Sequence, residues 1–213
     1  MSETAVLQEN VESDVKKPES RIVTPIDVIP FIYLRSSRPA RKPLKIVTMP
    51  DSTLKAPSRQ SITIDDATVD KIRHMVETMV AKKGIGIAAS QVGWDARVCV
   101  IRPIAGLDVD TNPVFVPDSK DEGTAVAVLI NPEIHPEHLG RLILNKTEEV
   151  KKDWEGCLSV PFTRRKISRF NKIRVNYTDL AGNKQDVLFK DWQARIVQHE
   201  LDHIRGIVLG GVK

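Results

Sequence analysis

The chain has 213 residues, enough for one domain of ordinary size with a real core. Its formal net charge of +4 is a mild, diffuse excess without a basic stripe interleaved with aromatics, so nothing argues for direct nucleic-acid binding. No run reaches the roughly 18 apolar residues that span a bilayer, and two cysteines make no disulfide framework, as expected of a reducing compartment.

Residues 1–20 are acidic and polar with no apolar signal region. That excludes a secretory peptide, fits an organellar transit peptide poorly, and leads to the expectation of a cytoplasmic protein. Residues 22–34 are more apolar but are interrupted by Pro25 and Pro30, as in an extended arm or a partner-binding segment. Residues 35–45 are a basic, proline-containing linker. The expected division is therefore a disordered or extended arm over 1–43 and one folded domain over 44–213.

Asp66 reads as an N-cap, and Ile72, Met75, Val76, Met79 and Val80 follow at helical spacing, which predicts a helix over 66–82. His74 falls on its surface or boundary. Next comes the glycine-rich Gly84-Ile85-Gly86-Ile87-Ala88-Ala89-Ser90-Gln91-Val92-Gly93. It lacks the Lys and Ser/Thr of a phosphate-binding loop and the acid of a dinucleotide fold. Small residues here allow another backbone to approach, and Gln91 offers an amide to a developing oxyanion. By itself, the segment is better explained as a tight turn into a strand with Gln91 merely exposed.

Strands are predicted over 96–101, 125–131, 173–177 and 184–189, the last two joined by a turn at 179–183. Cys99, in the first, reads as a small core hydrophobe. Residues 103–123 and 137–154 read as surface loops near the cleft, and His135 and His138 as loop residues beside Pro136. The last helix is predicted over 192–205, ending at Gly206. Separated helices with antiparallel hairpins make the fold class α+β, antiparallel strands packed around a central helix.

That helix contains Gln198-His199-Glu200-Leu201-Asp202-His203. Two histidines four apart share a helix face, with Cβ atoms roughly 5–6 Å apart, a workable bite for one metal ion. The glutamate between them can act as general base on water. A tetrahedral catalytic site needs three protein ligands and one open position. Residues 204–213 contain no His, Cys, Asp or Glu, so the third ligand must lie upstream. Cys157, in Glu155-Gly156-Cys157-Leu158-Ser159-Val160-Pro161, sits where glycine lets the chain turn and proline stops any helix. Judged by this segment alone, Cys157 is as well explained as a buried structural thiol. The histidine pair's missing ligand favours the metal. Such a Cys-His-His set suits zinc, ferrous iron, nickel or cobalt.

Taken together and in this order, the glycine-rich loop, the Glu-Gly-Cys-Leu-Ser turn and the Gln-His-Glu-x-Asp-His helix resemble the peptide deformylases, over about residues 44–210. The resemblance extends to the Met79–Lys83 lead-in, to Leu129-Ile130-Asn131-Pro132 and to the pattern around Val175–Asp179. It implies a metal-dependent hydrolase that removes the formyl group from N-formylmethionine at the start of newly made polypeptides. It further implies one divalent ion per chain, ferrous iron ahead of zinc, nickel or cobalt, held by Cys157, His199 and His203. Glu200 matches the family's general acid/base, and Gln91 and the Leu158 N–H its oxyanion donors. Ile85, Gly86, Glu155, Arg164, Arg195 and Ile196 match its substrate-binding positions. The implied partners are formylated nascent peptides, and the ribosome near its exit tunnel, for a monomeric enzyme.

The chain departs from the family pattern at Phe162, where many members carry glycine or a small polar residue. Two rival readings remain at this stage. A zinc peptidase would use the same helix but take its third ligand from beyond it. A binding protein that keeps the metal for stability would have no need of Glu200 and Gln91.

Overall fold

The computed structural model describes residues 31–35, 40–107, 113–115, 123–135 and 150–211. The architecture is α+β, with antiparallel sheets and two α-helices among the described residues. Helix α1, Asp66–Ala81, is capped by Asp65 rather than by the expected Asp66: the Asp65 carboxylate accepts the Thr68 N–H at 2.7 Å. Asp65 is extended (φ −129°), so its side chain can fold back over the first turn. Asp66 is already helical. Ile72, Met75, Val76 and Met79 form the buried stripe of α1.

The main sheet runs β10 (Lys184–Lys190), β9 (Lys172–Thr178), β6 (Thr124–Ile134), β3 (Val98–Ile101), β2 (Gly86–Ala88), all antiparallel. A short β1, Ile32–Leu34, pairs antiparallel with the first residues of β6. The middle strands are buried on both faces. Val98 and Val100 of β3, with Val126, Val128 and Ile130 of β6, join α1. The alternate residues Cys99, Ile101, Ala127 and Leu129 join helix α2 (Asp191–Ile204) through Ala194, Ile196, Val197 and Leu201. An unbroken apolar run, rather than alternation, is what two covered faces require.

Two smaller antiparallel pairs complete the fold. Strands β4 (Ile104–Leu107) and β5 (Pro113–Phe115) form one, and β7 (Val150–Cys157) and β8 (Val160–Phe170) the other. Parts of the two expected surface loops are thus strand. Gly106 and Pro113 disguise β4 and β5, and the polar start of β7 is one largely exposed side of a two-stranded ribbon. Residues 108–112, 116–122 and 137–149 of the expected loops, His138 among them, lie outside the described residues, as do 1–30 and 36–39 of the expected arm. Between β9 and β10, the Asp179 carboxylate accepts the Ala181 and Asn183 N–H groups, both at 2.9 Å, and Gly182 takes φ +88°.

Candidate metal centre

The ligand atoms of Cys157, His199 and His203 lie within 4.8 Å of one another, the one such Cys/His/carboxylate group among the described residues. Two elements bring them there. Helix α2 presents His199 and His203 on successive turns of its inner face, their ring centres 5.1 Å apart. The β7–β8 ribbon delivers Cys157 at the last position of β7, before the turn at Leu158 and Ser159. Cys157 Sγ is 3.2 Å from His203 Nε2 and accepts the Ser159 N–H at 3.4 Å.

Gln91 approaches from the other side, on the short turn after β2. Its side-chain oxygen accepts the Ala88 N–H at 2.9 Å, which turns the amide nitrogen towards Cys157 Sγ (3.6 Å) and Ser159 Oγ (3.2 Å). That nitrogen is therefore a donor aimed into the site. Gly86 sits against Glu200: a Cβ built there would lie 2.9 Å from the Glu200 Cδ and closer still to its oxygen. Only glycine leaves room for that carboxylate beside β2.

Behind these three side chains lies an ion-pair network. Glu155 is 7% exposed, and both its oxygens are engaged within the chain. Oε1 accepts from Arg169 Nε at 2.9 Å and Arg195 Nη1 at 2.7 Å, while Oε2 meets Arg169 Nη2 at 3.0 Å and His199 Nδ1 at 2.9 Å. Arg169 also binds Asp202. Arg195 extends the network to the carbonyls of Ile167 and Lys151.

The electrostatics separate the two glutamates. Burial raises the Glu155 pKa, but hydrogen bonds from His199 and Arg169 outweigh it and bring the carboxyl down to about 2. Glu200 has no such donors. Burial pushes it up to about 7, and its Oε2 is buried with no hydrogen-bond partner. His203 is held neutral by burial, by the neighbouring His199 and by Arg169. Burial also pulls His199 down, yet its bonds to Cys157 and Glu155 outweigh that and raise it.

A cavity of about 690 Å³ opens over this group. Its walls include Gln91, Cys157, Leu158, His199 and Glu200, and also Ile85, Gly86, Glu155, Arg164, Arg195 and Ile196. His203 lies behind the wall, fully buried. All six positions matched to substrate binding thus border one space, although the charged groups of Glu155 and Arg195 are turned into the network. Sequence reasoning missed Arg169. No strand was predicted over 160–170, and the partners of Arg169, Glu155 and Asp202, lie 14 and 33 residues away in the chain. Cys99, by contrast, is wholly buried in the core and takes no part.

Residues 43–210 match the family model described as polypeptide deformylase. Among curated proteins, the peptide deformylase of Rickettsia akari is 35% identical over 163 residues, covering 76% of this chain and 83% of that protein. That of Finegoldia magna is 37% identical over 158 residues, covering 74% and 82%. Among solved structures, the Ehrlichia chaffeensis peptide deformylase superposes with a TM-score of 0.64 at 34% identity, covering 78% of this chain and 86% of that one. A class I type b peptide deformylase from Acinetobacter baumannii, solved with Met-Ala-Ser bound, gives 0.62 at 28% identity, covering 79% and 96%.

Proposed function

The chain belongs to the polypeptide deformylase family, and from that premise we propose how its own residues remove the formyl group from the N-terminal methionine of newly made polypeptides. It is a hydrolase of linear amides, and the family is metal-dependent.

The donor set fits a divalent ion. One sulfur and two imidazoles converge, Glu155 occupies His199 Nδ1 and so leaves Nε2 as that ring's ligand, and His203 is held neutral. Cys157, His199 and His203 would hold the ion, ferrous iron ahead of zinc, nickel or cobalt. When bound, such an ion acts as a Lewis acid and brings the ionisation of water towards neutral pH.

Glu200 takes the proton from the attacking water and later gives it to the leaving amine. A pKa of about 7 suits both halves of that task near neutrality. The unpartnered, buried Glu200 Oε2 is the observation that carries this reading, because an orphaned carboxylate oxygen has no structural use there. Gln91 Nε2 and the Leu158 N–H donate to the oxygen of the tetrahedral intermediate. The Ala88 N–H supports that role by holding the Gln91 amide in one orientation.

The peptide is positioned by β2, the last strand of the main sheet. Ile85 accepts the Arg102 N–H, so the alternation of an antiparallel pair turns the N–H and C=O of Gly86 to the open edge. An extended peptide adds there as a further strand. Its methionine side chain enters the apolar slot bounded by Ile85 and Ile196, an irregular space that an unbranched thioether fills well. Arg164 stands at the rim, and the Glu155–Arg195 pair closes the floor.

On this reading α2 is the central helix that carries the His-Glu-x-x-His metal motif. Residues 1–43 form an arm and 44–213 the catalytic domain of a cytoplasmic monomer working near the ribosomal exit tunnel. The family match over 43–210 supports that division, and no helix among the described residues is long and apolar enough to cross a membrane. The test is a comparison of formyl-Met-Ala-Ser, Met-Ala-Ser and an internal peptide. Formate should appear from the first alone, with every peptide bond left intact; peptide-bond cleavage would point to a peptidase instead.

A further inference from the structure

Strands β7 and β8 pair residue for residue from Val150 with Phe170 to Gly156 with Arg164, and the next pair is Cys157 with Val160. Between those last two pairs β8 holds Pro161, Phe162 and Thr163, whereas β7 holds nothing. The surplus must bulge out of the ribbon, and a bulge re-aims the side chains it carries. All three residues border the cavity that contains His199 and Glu200.

At the centre of the bulge, Phe162 has φ +63°, a left-handed conformation that bulky residues rarely adopt. Its side chain is 107% exposed. A strained backbone and an apolar ring in water are both unfavourable, and so exposed a ring gains no packing among the described residues to offset them. Strain of this kind collects where a ligand is bound. Trp154, 46% exposed, borders the same cavity, with the Lys166 ammonium 5.3 Å from its ring centre. The mouth of the site therefore carries two half- or fully exposed aromatic rings in continuity with the open edge of β2.

We propose that Phe162, with Trp154, forms an apolar subsite that selects formylated peptides carrying a large apolar side chain at the second or third residue. The occupant is the substrate itself, because the bulge and the peptide-binding edge border one space. The proposal rests on the deformylase reading and adds a specificity determinant to it. Lys83 and Arg164 also border the cavity, so an acidic side chain is the competing occupant.

The experiment measures kcat/KM for two peptide series, formyl-Met-X-Ser and formyl-Met-Ser-X, with X as Ser, Asp, Leu or Phe. In one of them, Leu and Phe should exceed Ser by about tenfold, the effect of burying about two methylenes. Phe162→Ala should bring that ratio close to 1, and Phe162→Trp should keep it. Phe162→Gly should abolish it while raising the melting temperature, since glycine takes positive φ without strain. Equal rates for Leu and Ser in both series, a preference for Asp, or a Leu/Ser ratio unchanged in Phe162→Ala would each overturn the proposal. Absence of formate from every peptide, with metal bound, would overturn the deformylase reading as well, and failure across the whole panel tells the two apart.

Discussion

Glu155 Oε2 lies 2.9 Å from His199 Nδ1, while two arginines hold the same carboxylate in place. The acid thereby occupies Nδ1 and holds the orientation of an imidazole in the proposed metal site. Glu155→Gln should keep the fold but weaken metal retention by about 10–100-fold in competition with a chelator. Retention equal to the parent's would remove Glu155 from that role. The same variant has a pH signature in metal-free protein. Folding brings the Glu155 pKa from an ordinary 4.5 down to about 2, so its contribution is complete above 4.5 and is lost as pH falls through 2. The gap corresponds to about 3 kcal/mol. The parent should lose melting temperature over that acid window, and the variant should lose much less.

Glu200→Gln should retain the metal and lose about 10²–10⁴-fold in turnover, the usual size of a proton-transfer contribution. Its stability effect has the opposite sign to that of Glu155. Folding raises the Glu200 pKa from 4.5 to about 7, so its contribution is complete below 4.5 and is lost as pH rises through 7. Metal-free Glu200→Gln should therefore be more stable than the parent at pH 8, by up to about 3 kcal/mol. Equal thermal unfolding of the two at pH 8, with equal turnover, would exclude Glu200 as a buried general base.

Much of this site was legible in the sequence because its parts are local. Two histidines four apart in an amphipathic segment define a helix face, and the lack of any ligand after them directs attention to Cys157. The two-faced burial of β6 could be read from Ala125–Ile130, which is apolar without a break. The network behind the ligands was not legible. Glu155 is 14 residues from Arg169, 40 from Arg195 and 44 from His199, and only the folded chain brings them together. The bulge at Phe162 escaped notice for a related reason: a register shift belongs to two strands and leaves no mark on either.

Gly86→Ala probes the tight contact between β2 and α2. The added Cβ meets the Glu200 carboxylate, which must move to accommodate it. The variant should bind metal normally and lose most of its kcat, with little change in melting temperature. A kcat equal to the parent's would mean that the Glu200 carboxylate can work from another position.

Deletion of residues 1–40 tests the arm. It removes β1, whose Leu34 is 8% exposed and joins the α1 core. Burial of one leucine side chain is worth about 1.5–3 kcal/mol. The shortened chain should keep its activity on formyl-Met-Ala-Ser and melt several degrees lower. An unchanged melting temperature would mean that β1 adds nothing to the sheet.

The most direct test of the account is the metal content and formate release of one anaerobically purified preparation, compared between the parent and Cys157→Ser. The parent should carry one divalent ion per chain and release formate from formyl-Met-Ala-Ser, and a chelator should stop the release. Cys157→Ser exchanges a soft sulfur for a hard oxygen and should lose most of both metal and activity. Retention of one ion per chain with unchanged spectroscopy in Cys157→Ser, or undiminished formate release from metal-free parent, would contradict it.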